Sequence, residues 1–163
     1  DQVDYEGEVA VIVGRAASGV SAADAWGHIA GLSVVNDVSA RDVQTAAMTG
    51  PNPGIGGSKS FPTFKPLGPC LATADGFSAD LDIAITTRVN GELRQDGRTT
   101  EFLTPLPELI AFISHQMDLQ PGDVICTGSP RGVGMWSGGL WLQPGDVVSV
   151  AVEGIGVLTN PVV

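Results

Sequence analysis

Leu81-Asp82-Ile83-Ala84-Ile85-Thr86-Thr87-Arg88-Val89-Asn90-Gly91-Glu92-Leu93 is the stretch that sets the fold class. Leu81, Ile83, Ile85, Thr87 and Val89 fall on one face of an extended chain, because strand side chains alternate with a period of two. Asn90-Gly91 then supplies the residue pair of a tight hairpin turn, so the segment predicts antiparallel sheet over residues 79–93. Upstream, Glu8-Val9-Ala10-Val11-Ile12-Val13-Gly14 is a β-branched run stopped by glycine, the look of a strand buried on both faces. Leu32-Ser33-Val34-Val35-Asn36-Asp37 reads as another strand, delivering Asn36 and Asp37 at its carboxyl end.

Helices are fewer. Ser21-Ala22-Ala23-Asp24 resembles a capping box and predicts a helix running to about Ala30 and stopped by Gly31. From Thr104, the positions Leu106, Leu109, Ile110, Ile113 and Met117 follow one helix face, with Pro105 suited to the first turn and the apolar side packed on a sheet. Residues 49–58 are rich in Gly and Pro and predict a loop. Leu119-Gln120-Pro121-Gly122-Asp123-Val124-Ile125 and Leu142-Gln143-Pro144-Gly145-Asp146-Val147-Val148 nearly repeat each other as Pro-Gly turns feeding strands. One such pair is recurrent turn chemistry and does not establish a repeat architecture.

The chain has 163 residues with 22 Gly and 11 Pro, enough for one substantial core, so residues 1–163 are read as one domain. Eight Lys+Arg against 18 Asp+Glu give a formal charge of -10, which repels nucleic acid and anionic membrane surfaces; neither is expected as a partner. An anionic substrate needs a local cation to reverse that field. Cys70 and Cys126 stand far apart without zinc-ligand or redox spacing and are read as two buried, reduced thiols. The sequence shows neither a membrane-span pattern nor a signal-peptide pattern, and a cytoplasmic enzyme is expected. It enters a strand almost at once, as a fragment would.

Glu6 and Glu8 are two apart, so both carboxylates project from one side of the entering strand. Like charges about 4 Å apart repel by about 1 kcal/mol in water and by more at lower dielectric, so the pair needs a cation or solvent. An exposed, hydrated strand end meets that need equally well. Asp37 changes the balance: three carboxylates with no neighbouring histidine or thiol form an all-oxygen set suited to Mg²⁺, Mn²⁺ or Ca²⁺ rather than Zn²⁺. Alone, Asp37 could also cap a turn at Ser39-Ala40-Arg41.

Asn36-Asp37-Val38-Ser39-Ala40-Arg41-Asp42-Val43-Gln44 resembles a signature of the fumarylacetoacetate hydrolase family. Ser58-Lys59-Ser60-Phe61, Pro66-Leu67-Gly68-Pro69, Pro121 through Pro130 and the opening Asp4-Tyr5-Glu6-Gly7-Glu8 match in the same order. The resemblance implies a mixed, β-rich fold, a β-sandwich roll with short peripheral helices, and metal ligation by Glu6, Glu8 and Asp37, with Mg²⁺ or Mn²⁺/Ca²⁺ as cofactor. It implies that Arg41, Gln44 and Lys59 hold a small 2-oxo acid, Lys59 and Arg41 serving catalysis, and that Thr127 and Gly128 bind its carboxylate. A homodimer is implied too, and the segment from Trp136 to Trp141 is a contact candidate or a pocket rim.

The activity so implied is metal-dependent hydrolysis or lysis of a C–C bond in an acylpyruvate-like acid. The alternatives are oxaloacetate decarboxylation or tautomerisation, another isomerase activity of the family, or a catalytically silent metal-binding scaffold. Hydrolytic members place a His-Glu pair on an upstream lid, and no such segment precedes Glu6 in this sequence. His28 and His115 read as ordinary helix residues. Enolate chemistry, which needs chelation and positive charge but no activated water, is therefore expected to outlast hydrolysis.

Overall fold

The hairpin read around Asn90-Gly91 forms one half of a sandwich, and the β-branched runs form the other. The structure, a computed structural model, describes residues 2–51, 54 and 56–163. Its strands are β1 (Val3–Asp4), β2 (Gly7–Val13), β3 (Ile29–Asn36), β4 (Ser39–Ala40), β5 (Leu67–Thr73), β6 (Ala84–Val89), β7 (Glu92–Arg98), β8 (Val124–Cys126), β9 (Val147–Val152) and β10 (Gly156–Pro161). Its helices are α1 (Ala22–Ala25), α2 (Arg41–Thr49) and α3 (Leu106–Gln116). One sheet runs β5-β3-β2-β8, the other β10-β9-β6-β7, and β1 pairs with β4 as a short ribbon. All these pairings are antiparallel.

Alternation decides what faces inward. Val9, Val11 and Val13 of β2 with Leu32 and Val34 of β3 pack against Ile85 and Val89 of β6 and Val148, Val150 and Val152 of β9. Burying each such side chain contributes about 1.5–3 kcal/mol. Gly7 marks a close approach of the sheets: a Cβ there would lie 2.1 Å from Thr87 Oγ1 and 2.9 Å from Val150 Cγ1. A side chain at this position forces the layers apart, so the residue between the two glutamates has to be glycine.

The hairpin turn uses Asn90 and Gly91 at φ 52° and 83° as expected, although regular pairing begins at Ala84, not Ala79. The two Pro-Gly turns use one device: Asp123 Oδ2 accepts from Gln120 N and Asp146 Oδ2 from Gln143 N, each at 2.8 Å.

Several expectations need correction. Ser21 does cap α1, its hydroxyl accepting from Asp24 N at 3.3 Å, but the helix ends at Ala25, a 3₁₀ turn covers Trp26–His28, and Ile29 already begins β3. Gly31 does not stop a helix; it lets β5 come close, since a Cβ would meet Ala72 O at 2.1 Å. Helix α2 occupies what reads as a turn. Its N-cap, Ala40, has no side-chain cap, and the residues it buries are Arg41 and Gln44, so an apolar-period scan passes over it. Of the expected loop over 49–58, Thr49 ends α2, Gly56–Lys59 form a 3₁₀ turn, and Asn52, Pro53 and Ile55 lie outside the described residues. Helix α3 buries Leu106 and Ile110 in the core and packs beside α1, Ser114 Oγ accepting from Val20 N at 3.0 Å. Met117 falls past its end and is exposed. Cys70 is exposed, because β5 is an edge strand, and Cys126 is half-buried. Among the described residues, no helix is long and apolar enough to cross a membrane.

Candidate metal centre

Strand register gathers the acids. Glu8 pairs with Val35 of β3, while Ala10 pairs with Ser33 on one side and with Cys126 of β8 on the other. Asp37 lies two past Val35, so alternation brings Glu8, Asp37 and Cys126 to one face of three adjacent strands. A carboxylate oxygen from each acid and Cys126 Sγ all lie within 4.8 Å of one another.

Glu6 joins the group through Lys59, whose Nζ donates to Glu6 Oε2 and to Asp37 Oδ2 at 2.5 Å each. Those two oxygens are therefore separated by at most twice that distance. Lys65 pairs with Asp37 Oδ1, an atom that makes no hydrogen bond of ordinary geometry. Glu6, Glu8 and Asp37 are all buried. Burial raises the Glu8 carboxyl to about 7, opposed by the Gly128 amide and reinforced by the charge of Glu6. Burial, then Glu8, also pushes the Cys126 thiol up.

Arg41 stands on the far side of Glu6. Its Nε donates to Asp4 Oδ2 at 2.8 Å, Nη1 to Gln44 Oε1 at 2.8 Å and Nη2 to Glu6 Oε1 at 2.5 Å. Burial works against its charge, but Asp4 and Glu6 outweigh it, and the guanidinium pKa rises. Asp4 also accepts from the Gly134 and Met135 amides at 2.7 and 3.0 Å, tying that loop to β1.

The turn after β8 closes the centre. Gly128 N donates to Glu8 Oε2 at 2.8 Å, and the Thr127 hydroxyl donates to Val9 O at 2.8 Å. Gln95 anchors this turn to the strand that carries the glutamates: it accepts from Gly7 N at 3.0 Å and donates to Pro130 O at 2.8 Å. Thr127, Gly128 and Arg131 line one side of a cleft of about 540 Å³, with Phe102, Leu103 and Leu109 among its other lining residues. Trp136 is exposed and Trp141 half-buried.

The expected residues thus converge: Glu6, Glu8, Asp37, Lys59, Arg41 and Gln44 form one network, and Thr127 and Gly128 border it. Sequence reasoning passed over Lys65, Cys126 and Asp4 as members of the site. Lys65 directly precedes the quoted Pro66 motif and Cys126 lies inside the Pro121–Pro130 motif, yet only the β2–β8 register shows that the thiol faces the acids. His28 is half-buried and His115 exposed, and they turn Nδ1 to the carbonyls of Ala16 and Ala111. Neither belongs to the cluster.

The donor set fits a divalent cation: buried carboxylates converge from separate strands, and ammonium groups are drawn onto them. The sequence as a whole matches the family described as fumarylacetoacetate (FAA) hydrolase, C-terminal, over residues 1–163. The chain belongs to the fumarylacetoacetate hydrolase family.

Among curated relatives, the oxaloacetate tautomerase YisK of Bacillus subtilis is 38% identical over 162 residues, 99% of this chain and 52% of that protein. Among solved structures, a fumarylacetoacetate hydrolase from Exiguobacterium antarcticum superposes with a TM-score of 0.92 at 42% identity, covering 99% of this chain and 57% of that one. A 2-hydroxyhepta-2,4-diene-1,7-dioate isomerase from Mycobacterium marinum gives 0.89 at 40% identity, covering 100% and 59%. The chain spans about half the length of the curated tautomerases it matches. Relatives named for tautomerisation or isomerisation fit the alternative reading of the sequence better than C–C bond hydrolysis.

Proposed function

We propose that this domain carries the enolising site of a tautomerase or isomerase acting on a small 2-oxo acid such as oxaloacetate. The observation that carries the reading is the Lys59 ammonium bridging Glu6 and Asp37 beside buried Glu8, which Gly128 ties to the lining of a cleft. Glu6, Glu8 and Asp37 would hold a hard divalent cation, Mg²⁺, Mn²⁺ or Ca²⁺, which when bound supplies the Lewis acidity that polarises a keto oxygen. Lys59 adds donors and positive charge where enolate charge develops. Arg41 fixes Glu6 from behind, and Gly128 fixes Glu8. Thr127 and Gly128 present the turn to the cleft, where the acid's carboxylate would lie, and Phe102 and Leu109 limit water there. This arrangement concentrates charge, and neither histidine contributes a base to it.

The test is to supply the chain with Mn²⁺, follow enolisation of oxaloacetate by ultraviolet absorbance, and follow acetylpyruvate by proton NMR. Faster enolisation with intact acetylpyruvate is expected. In Asp37→Ala the rate should drop at least about a hundredfold, since Lewis-acid stabilisation contributes several kcal/mol. Hydrolysis of acetylpyruvate at an ordinary enzymatic rate, with oxaloacetate untouched, restores the hydrolase reading. Mn²⁺ binding with neither rate raised marks a silent scaffold.

A further inference from the structure

We infer that Cys126 turns the carboxylate centre into a mixed oxygen and sulfur site that also takes a thiophilic divalent cation, such as Zn²⁺ or Co²⁺, through Glu8, Asp37 and Cys126. The inference rests on the reading of the cluster as a cation site and adds a donor to it.

Three adjacent strands each supply one ligand atom: Glu8 from β2, Asp37 just past β3 and Cys126 from β8, all within 4.8 Å. That spacing is close to what one small ion asks of its ligands. Metal–oxygen bonds of about 2.0–2.2 Å and zinc–sulfur bonds of about 2.3 Å put donor atoms on one ion roughly 3.3–4.5 Å apart. The strands that carry the donors are fixed by sheet hydrogen bonds, so little ordering is needed to assemble the set.

A second observation points to a cation at the same place. Asp37 is buried, its Oδ1 makes no hydrogen bond of ordinary geometry, and two ammonium groups, Lys59 and Lys65, converge on this one carboxylate. An all-oxygen set favours hard ions; a sulfur donor in reach moves the preference toward the softer end of the divalent series. On binding, the sulfur–metal bond forms as the thiol proton leaves to solvent, with no change of oxidation state.

Co²⁺ is the direct probe, because thiolate ligation gives it an intense near-ultraviolet charge-transfer band that carboxylates do not. The 163-residue chain and Cys126→Ser are titrated with Co²⁺ by absorbance, and with Zn²⁺ and Mn²⁺ by calorimetry. The wild-type chain should show the band and Cys126→Ser should lose it. Zn²⁺ affinity should fall at least about tenfold in the variant while Mn²⁺ affinity changes by less than about threefold. If Mn²⁺ and Co²⁺ both bind but no band appears, or the band survives in Cys126→Ser, sulfur is not a ligand and the inference is overturned while the cation site stands. If neither ion binds the wild-type chain, the cation reading fails and the inference fails with it.

Discussion

Arg41 and Lys59 pair with opposite oxygens of Glu6, yet their surroundings differ. The Arg41 side chain is 7% exposed and pairs with Asp4 at 0%, and its Nε, Nη1 and Nη2 each meet a protein acceptor. Lys59 is 18% exposed and shares Asp37 with Lys65, which is 43% exposed. On the Arg41 side, each guanidinium nitrogen is paired and the group is sealed from solvent. On the Lys59 side, the ammonium groups are more exposed, a thiol lies beside Glu8 and Asp37, and Gly128 links Glu8 to a cleft. A dry, fully paired group acts as a strut; a set with access to solvent can exchange its cations. The same glutamate serves both.

Breaking the strut should have the largest effect. Arg41→Met leaves Asp4 buried without a cation and Glu6 with Lys59 alone, and should cost about 3–5 kcal/mol of stability, read from urea unfolding. A loss below about 1 kcal/mol would show that solvent reaches Asp4 and that the two sides are not different in kind.

The open side should respond to pH. The Glu8 carboxyl sits at about 7 against an ordinary 4.5, so the folded chain holds this proton more tightly than the unfolded chain does. For this group, metal-free stability is highest below the ordinary value and declines as pH rises through about 7. A cation must displace the same proton, so Mn²⁺ affinity should climb by up to about tenfold per pH unit below that value and level off above it. Calorimetric titrations at acid and alkaline pH give the slope. Equal affinities at both would mean that Glu8 is not a ligand.

The smallest effect belongs to Lys65→Ala. Its side chain is largely solvated, so stability should change by less than about 1 kcal/mol. Mn²⁺ affinity should rise slightly as a competing ammonium is removed. A large loss of stability would place Lys65 with Arg41 among the struts.

What was legible in the sequence followed periodicity and spacing. The hairpin at Asn90-Gly91, β2, the end of β3 just before Asp37 and helix α3 all rest on local pattern, and the structure has each. The metal candidates stood out because carboxylates two apart on a strand share a face, and because the run from Asn36 to Gln44 matched a family motif. The rest depended on partners far away in sequence. The helix expected to reach Ala30 gave way because Ile29 pairs with Val13 of β2 and Gly31 pairs with both Ile12 of β2 and Thr73 of β5. Helix α2 was hidden because its inward residues are an arginine and a glutamine, legible only once Asp4 and Glu6 are seen to receive them. Cys126 could not be placed beside Glu8 before β8 was known to pair with β2.

Gly7 ties the fate of the centre to that of the whole molecule. The two glutamates flank the point where the layers touch, so no soft hinge lies between the ligands and the interior. Warming cannot loosen the site first and the sandwich later. A calorimetric scan should register one event, in which the acids separate as Thr87 and Val150 lose their contact with that glycine, and a bound cation should move this event as a unit without splitting it.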